Sequence, residues 1–468
     1  MTLPRPKPHH EAGRVRAAGQ VVGQTAGVET AADVERLCRE QDVRFLSLRF
    51  ADILGTSKHL TLPVTRLGKA LAGEVIVDGS AIEGFVRLRE ADLFLRPDPR
   101  TFVVLPRHGG EPARAQLVCD LYGADGTPFP EDPRHALRRA SAACARLGFV
   151  PMVGAEPEFF LFRRDASGRA TTETNDLAGY FDSAPMDTGE AIRDEMVTAL
   201  IEMGLEIEGA HHEAAPGQHE IDFRHTDALA MADALVSGLR TIRTVAARHG
   251  MHATFMPKPL ADVNGSGLHV HLSLSREGVN AFYDGERPDG LSSVARQFLA
   301  GLLRHARALT AITNPLVNSY KRLVPGYEAP SFVTWSQREH SPWARVPTRR
   351  GGGTRIEVRS PDPACNPYLA FTALLASGLD GVARRAEPPR QAGASVYRMS
   401  SKEREELGIV PLPANLAEAL DAFEEDEVIQ EALGAEICSR FIEAKRIEWE
   451  YYERHVHAWE LEQYLTAF

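Results

Sequence analysis

The chain has few cysteines and no long apolar segment. Only five of its 468 residues are cysteine, and no two of them form a C-x-x-C pair. This excludes a disulfide framework and a zinc knuckle. No run approaches the roughly 20 apolar residues that span a bilayer, and residues 1–28 contain no apolar segment of signal-peptide length. We therefore expect a cytoplasmic protein without a membrane partner.

Positive charge is also in deficit. The chain has 53 Lys and Arg residues against 64 Asp and Glu residues, which gives a net charge of −11 at pH 7. A nucleic-acid-binding surface is therefore not expected. Hydrophobic residues make up 43% and charged residues 25%, as in a soluble globular chain with a sizeable core. The excess of carboxylates also suits a protein that holds metal ions.

The patterning predicts a tail and two domains. Residues 1–28 are rich in proline and glycine, and we expect a flexible tail. Residues 29–130 begin with a helix after Thr30 and continue with strands over 43–50, 75–77, 101–105 and 116–120, which indicates a small strand-rich domain. Residues 131–468 alternate short strands with helices. Those helices are predicted to start at Pro133 and to cover 191–203, 227–249 and 291–310.

The most informative local pattern is Glu156-Pro157-Glu158. Residues two apart in a strand share a face, so both carboxylates point the same way. Two like charges on a buried face repel unless a cation or a proton separates them. An exposed acidic pair is the alternative, but the apolar run over 159–162 favours a buried strand.

Other polar side chains alternate in the same way. His269, His271 and Ser273 share one strand face after a glycine-rich approach, and Arg355, Glu357 and Arg359 share another. Each set could be a solvated face. Carboxylates together with imidazoles on strands instead favour a site for a hard cation such as Mg²⁺ or Mn²⁺. Arginines beside them suit phosphate or carboxylate anions.

From about Val43 to Phe468 the chain resembles the type I glutamine synthetases. The matching motifs are Asp78-Gly79-Ser80-Ala81-Ile82-Glu83-Gly84-Phe85, Glu156-Pro157-Glu158-Phe159-Phe160, His212-Glu213 with Pro216-Gly217-Gln218-His219-Glu220, Asn264-Gly265-Ser266-Gly267-Leu268-His269, Asn318-Ser319-Tyr320-Lys321-Arg322 and Pro325-Gly326-Tyr327-Glu328-Ala329-Pro330. The resemblance implies an α+β fold, with an N-terminal β-grasp domain and a catalytic domain built on a curved antiparallel sheet with helices. It also implies a homododecamer of two stacked hexameric rings, with active sites between subunits.

The resemblance further implies an activity, namely ATP-dependent ligation of ammonia to L-glutamate through γ-glutamyl phosphate, which yields glutamine, ADP and phosphate. Two divalent cations, Mg²⁺ or Mn²⁺, are expected in each active site. One would be held by Glu158, Glu213 and Glu220, and the other by Glu156, His269 and Glu357.

The remaining roles carry over from the same family. Glutamate would be bound by Gly265, Arg322, Glu328 and Arg359. ATP would be bound by Glu208, His271, Ser273, Arg345 and Arg355, with Arg345 also acting in phosphoryl transfer. Asp78, assisted by Glu328 and Tyr180, would bind ammonium and take its proton, and Glu328 would shield the intermediate from water.

Some positions depart from the family pattern. His340 stands where relatives have an arginine that contacts phosphate. This keeps two alternatives open: a γ-glutamyl ligase that uses an organic amine such as ethanolamine or a polyamine, and a catalytically weak relative with a binding role. Tyr397 lacks the acidic and proline neighbours of adenylylated members. The chain therefore resembles the glutamine-inhibited branch, in which Arg87 would take part in the inhibition.

Overall fold

The computed structural model describes residues 27–82, 92–339, 342–391 and 396–468. Residues 1–26 of the expected tail, Arg87 and His340 lie outside these ranges. The first described helix begins after Thr30, as predicted. Thr30 and Asp33 exchange the two hydrogen bonds of a capping box, which satisfies backbone donors at the helix start.

A mixed six-stranded sheet forms the N-terminal part of the described chain. Its strands are β1 (Val43–Ala51), β2 (Ser57–Pro63), β3 (Val75–Asp78), β4 (Asp92–Pro97), β5 (Val103–Val104) and β6 (Ala113–Tyr122). The order is β2-β1-β6-β4-β3, with β5 beside β6, and β1 runs parallel to β6. The strand predicted over 101–105 is shorter than expected, because Asp98 caps a single 3-10 turn over Pro99–Thr101.

A larger sheet of ten strands carries most of the candidate residues. Its strands are β7 (Val150–Arg164), β8 (Ala170–Thr174), β9 (Ile207–His212), β10 (Gln218–Asp227), β11 (Met251–Thr254), β12 (Leu268–Arg276), β13 (Val279–Asn280), β14 (Trp335–Ser336), β15 (Ala344–Arg345) and β16 (Ile356–Val358). The main order is β14-β15-β16-β12-β7-β10-β9, so β7 is central. The expected antiparallel pairing holds except between β14 and β15, which are parallel.

Helices pack around these sheets. They are α1 (Ala31–Glu40), α2 (Leu67–Leu71), α3 (Pro133–Arg146), α4 (Glu190–Glu202), α5 (Ala228–Arg248), α6 (Ser293–Arg304), α7 (Ala306–Thr313), α8 (Pro367–Arg384), α9 (Ser401–Glu406), α10 (Leu416–Glu424), α11 (Glu427–Leu433), α12 (Ala435–Glu453) and α13 (Ala458–Tyr464). The apolar helix α8 packs against α3, α5, α6, α7 and α11. None of the described helices is long and apolar enough to cross a membrane.

The helical stretch predicted over 291–310 is confirmed, but it is divided into two helices. The chain forms α6 and α7 there, and His305 interrupts them. The His305 imidazole lies 2.6 Å from Asp426 and 3.2 Å from Asp380, both far away in sequence. These buried contacts decide the break, which the apolar periodicity of the segment does not reveal.

A buried ionic network joins the N-terminal sheet to the helices. Arg134 on α3 is 2% exposed. It pairs with Asp98 at 3.0 Å, Asp120 at 2.6 Å and Asp233 at 2.8 Å. Asp233 also accepts a hydrogen bond from the Tyr368 hydroxyl. Because each charge has close partners, the network avoids the penalty of an isolated buried ion.

Candidate active site

The register of the ten-stranded sheet brings the candidate ligands together. Glu158 on β7 lies opposite Glu220 on β10, and Glu156 lies opposite His269 on β12. On the other side of β12, His271 lies opposite Glu357 on β16. Directly opposed residues on one sheet face have neighbouring side chains. Three strand pairings therefore concentrate carboxylates and imidazoles at one place.

These side chains line a cavity of about 600 Å³. Its lining consists of Glu156, Glu158, Tyr180, Glu213, Ala214, Gln218, Glu220, Asn264, Gly265, His269, His271, Arg322, Tyr327, Glu328, Arg345, Arg355, Glu357 and Arg359. All six predicted metal ligands are in this set. Glu208 and Ser273 instead line an adjoining cavity of about 170 Å³, together with His271 and Arg355. Asp78 is not among the described residues that line either cavity.

The potential metal ligands form overlapping groups. Ligand atoms of Glu156, His269 and Glu357 lie within 4.8 Å of one another, as the second predicted metal set requires. The first predicted set is divided between two such groups, which share Glu220. One contains Glu158 and His269, and the other contains His211 and Glu213. The carboxylates thus form one continuous cluster rather than two separate triads.

In the part of this cluster that contains Glu213 and Glu220, neighbouring carboxylates outweigh positive charge among the described residues. Burial, followed by the charge of Glu158, raises the pKa of Glu213 to about 8 and that of Glu220 to about 12. Such shifts show that the carboxylates repel one another when no cation is present. Oxygen donors with a surplus of negative charge suit a hard divalent cation, and binding one would release protons. The donor set therefore fits Mg²⁺ or Mn²⁺.

In the part of the cluster that contains Glu357, two arginines supply positive charge. Burial opposes ionisation of Glu357, but the charges of Arg359, His271 and His269 together lower the pKa of Glu357 to about 2. Arg359 and Arg345 contact the two Glu357 oxygens at 2.5 and 3.0 Å. The Nε atoms of both arginines are buried and have no hydrogen-bond partner among the described residues. The guanidinium groups that line the cavity suit an anionic ligand.

His271 orients Glu156. Arg355 Nε donates to His271 Nδ1 at 3.0 Å, and because a guanidinium only donates, Nδ1 must accept. The imidazole proton then lies on Nε2, which is 2.6 Å from Glu156 Oε1. Burial opposes ionisation of Glu156, but the contacts with His271 and His269 hold its pKa well below the usual range. Arg355, His271 and Glu156 therefore form a chain from the residue before β16, through β12, to β7.

The glycine-rich segment lets backbone approach the arginines. A Cβ atom on Gly265 would lie 2.2 Å from the Pro257 carbonyl oxygen, and one on Gly267 would lie 2.4 Å from Arg322 Nη2. Arg322 is 3% exposed, and its Nη1 donates to the Ser360 carbonyl at 2.7 Å. Only glycine allows this close packing around a buried guanidinium.

A loop bearing Glu328 covers part of the cavity. Glu328 adopts φ 53°, a left-handed conformation that is rare for a residue with a side chain. Asn264 Nδ2 donates to Glu328 Oε2 at 2.9 Å. Tyr397 holds the loop from outside the cavity, since its hydroxyl donates to the Ala329 carbonyl at 2.9 Å. Facing the loop, Tyr180 is 59% exposed.

Some residues of the site were missed from the sequence. Gln218 Nε2 donates to Glu158 Oε2 at 2.8 Å and to the Gly265 carbonyl at 3.2 Å. His211 lies 3.6 Å from Glu220 and 3.7 Å from Glu213. Gln218 belongs to a motif that the sequence analysis identified, and His211 immediately precedes one. Strand alternation could have found them, because each lies two residues from a predicted ligand.

Carboxylates suited to cations and arginines suited to anions share one cavity, as the active site of a metal-dependent ligase of anionic substrates requires. The family model described as "Glutamine synthetase, beta-Grasp domain" matches residues 42–124, and "Glutamine synthetase, catalytic domain" matches residues 130–464. The chain therefore belongs to the type I glutamine synthetase family, whose reaction is ATP-dependent glutamine synthesis from glutamate and ammonia. The predicted family, fold class and ligase activity are confirmed.

Individual relatives agree with this assignment. A glutamine synthetase of Thermus thermophilus is 50% identical over 443 residues, which cover 94% of this chain and 99% of the relative. One from Clostridium saccharobutylicum is 49% identical over 439 residues, covering 94% and 99%. Among solved structures, a GmaS/ADP complex superposes with a TM-score of 0.83 at 34% identity, covering 93% of this chain and 99% of that one.

Proposed function

We propose that the 600 Å³ cavity joins ammonia to the γ-carboxylate of glutamate through γ-glutamyl phosphate, with the residues in the roles given below. The observation that carries the proposal is the division of charge. Carboxylates with raised pKa values occupy one side, and four arginines occupy the other. ATP and glutamate are both anions, so their reaction requires cations on one side and guanidinium groups on the other.

Two divalent cations, Mg²⁺ or Mn²⁺, would be held by Glu158, Glu213 and Glu220 and by Glu156, His269 and Glu357. When bound, they offset the repulsion between the ATP phosphates and the glutamate carboxylate. His211 is a further donor beside Glu213 and Glu220. Gln218 and His271 orient Glu158 and Glu156 through hydrogen bonds.

The arginines would divide the anions between them. Arg322 and Arg359, with the backbone of Gly265, would bind the glutamate carboxylates, and Arg345 and Arg355 would bind the transferring phosphoryl group. Glu208, His271 and Ser273 would contact the nucleotide. The adjoining cavity supports this role for Glu208 and Ser273, because both line it. It also shares His271 and Arg355 with the larger cavity.

Ammonium would bind between Glu328, Tyr180 and Asp78. Burial and the charges of Glu213 and Glu220 raise the pKa of Tyr180, so its hydroxyl stays neutral and can donate beside carboxylates. Asp78 ends β3 and its side chain accepts hydrogen bonds from Ser80. Because Asp78 does not line the cavity of its own chain, we assign it to the active site of a neighbouring subunit in a cytoplasmic homododecamer.

Phosphate release tests the nucleophile. With Mg²⁺, ATP and glutamate, fast release with ammonium but not with ethanolamine, putrescine or spermine is the expected result. Release that requires one of the amines would contradict ammonia as the nucleophile while leaving the metal site intact.

Subunit mixing tests the position of Asp78. Asp78→Asn and Arg359→Gln are each expected to be inactive alone. When the two are dissociated and reassembled together, sites that combine an intact Asp78 with an intact Arg359 should restore partial activity. Mixed assemblies that remain inactive would show that one chain supplies both residues.

A further inference from the structure

A second cavity lies apart from the catalytic one, between the N-terminal sheet and α5. It measures about 240 Å³ and is lined by four arginines. Arg107 and Arg114 come from the segment that leads into β6 and from β6 itself, and Arg240 and Arg248 come from α5. Glu111 is the single acidic residue in the described lining. We call this space the arginine cavity.

Its guanidinium groups are poorly compensated. The Arg240 side chain is half-buried and has no hydrogen-bond or ion-pair partner among the residues that the structure describes. Arg114 stacks on the Phe45 ring, 4.8 Å from its centroid. Arg107 donates to a backbone carbonyl, that of Gln41, at 2.6 Å. Arg248 is 4.0 Å from Glu195, the limit of an ion pair.

A buried arginine adds to the same positive cluster. Arg49 on β1 is 2% exposed, its Nε has no hydrogen-bond partner among the described residues, and its Nη1 lies 3.4 Å from Ser57 Oγ. Burial and then the charge of Arg240 lower the pKa of Arg49 to about 10. Burial and then Arg114 lower the pKa of Arg240. Buried cations without partners are costly, so an anion bound here would be stabilised strongly.

We propose that the arginine cavity binds a small anion with at least two negative charges, either a phosphate compound or a dicarboxylate. Guanidinium forks bind both groups in a bidentate manner. The volume lies below the roughly 300–1,000 Å³ of sites for drug-sized ligands, so a small anion fits better than a nucleotide. The hydroxyls of Thr241 and Thr244 donate to the α5 backbone, which leaves recognition to the arginines.

The position of the cavity gives this anion a structural consequence. Its arginines belong to both units, the sheet that carries Asp78 and the helix layer that supports the catalytic strands. A bound anion therefore links the two units. It should raise the apparent melting temperature of the assembled protein, because a ligand that binds only the folded state stabilises it.

The test compares full-length assembled protein with its variants in a buffer of low anion content. Inorganic phosphate, pyrophosphate and succinate are the probes, measured by calorimetric titration and thermal unfolding. Arg240→Gln and Arg114→Gln should each weaken binding at least about tenfold, the value of a charged hydrogen bond. Arg243→Gln is the matched control on α5, since Arg243 packs on the Phe255 ring outside the cavity. The catalytic cavity is present in every variant and contributes equally to each titration.

Without added anion, Arg240→Gln should raise the melting temperature, because it removes a like charge from the cluster. An arginine with a purely structural role would lower it. Preference for the phosphates would identify a phosphate compound as the ligand class, and preference for succinate a dicarboxylate. Equal anion affinity of wild type, Arg240→Gln and Arg114→Gln would overturn the proposal, as would equal responses to every probe and to chloride.

Discussion

Gln218 allows the organisation of the carboxylate cluster to be tested without removing a proposed metal ligand. Its side chain is fully buried, and its amide donates to Glu158 at 2.8 Å and to the Gly265 carbonyl at 3.2 Å. Gln218→Met keeps the length of the side chain but removes both donors. Glu158 then loses a fixed partner, and we expect the affinity of the site for divalent cations to fall.

The size of the effect follows from the hydrogen bond to Glu158. A hydrogen bond to a charged group contributes about 1.5–3 kcal/mol, or roughly 10–150-fold in an equilibrium constant. Loss of a residue that orients a metal ligand typically costs about 10–100-fold in metal affinity. We therefore expect the Mg²⁺ concentration for half-maximal phosphate release to rise about 10–100-fold, with much of the rate recovered at saturating Mg²⁺.

Gln116 provides the matched control. It is 2% exposed and donates to Ser237 Oγ at 3.0 Å, outside the cavity lining. Gln116→Met should cost about 1 kcal/mol of folding free energy and leave the Mg²⁺ dependence unchanged. If Gln218→Met also retains the wild-type Mg²⁺ dependence, then Gln218 does not organise the metal site.

Further predictions concern the loop and the ionic network. Glu328→Ala should uncouple ATP cleavage from amide formation, because water gains access to the intermediate; an unchanged ratio of phosphate to glutamine would remove this role. Arg134→Met should lower the free energy of unfolding by about 3–5 kcal/mol, because it leaves buried carboxylates unpaired. The control Arg36→Met, at an exposed ion pair, should change the free energy of unfolding by less than about 0.5 kcal/mol. Urea denaturation of both variants measures the two changes. Burial opposes ionisation of Asp98, but Arg100 and Arg134 together hold its pKa well below the usual range of an aspartate. Its stabilising contribution is therefore complete above the unfolded-state pKa and is lost as the pH falls through the folded-state value, so Asp98→Asn should lose less stability than wild type between pH 7 and pH 3.

Local patterns in the sequence predicted much of the fold. The capped start of α1 at Thr30 and the strand at Val43 follow from side-chain preferences that act within a few residues. The helical stretch expected over 291–310 is divided at His305, which contacts Asp426, 121 residues away. Periodicity cannot report a contact of that kind.

The candidate site shows the same contrast between what local sequence patterns predict and what contacts in the folded chain decide. Alternation alone placed Glu156 and Glu158 on one face, and both line the cavity. His211 and Gln218 obey the same alternation but were not assigned, since an imidazole or an amide becomes informative only beside its carboxylate partner. The roles of all these residues stay predictions until variants are measured.

By itself, the sequence determined the family, the two kinds of side chain that the reaction needs and the strands that carry them. These depend on composition, on motifs and on a two-residue period that the backbone imposes. Only the tertiary structure decided which strands meet. It pairs Glu158 with Glu220 and brings Arg114 to Arg240 across two units. Among the described residues, it leaves Arg345 Nε and Arg359 Nε without partners. Charge states and cavities arise from burial and from neighbours distant in sequence, so they appear only when the chain is folded.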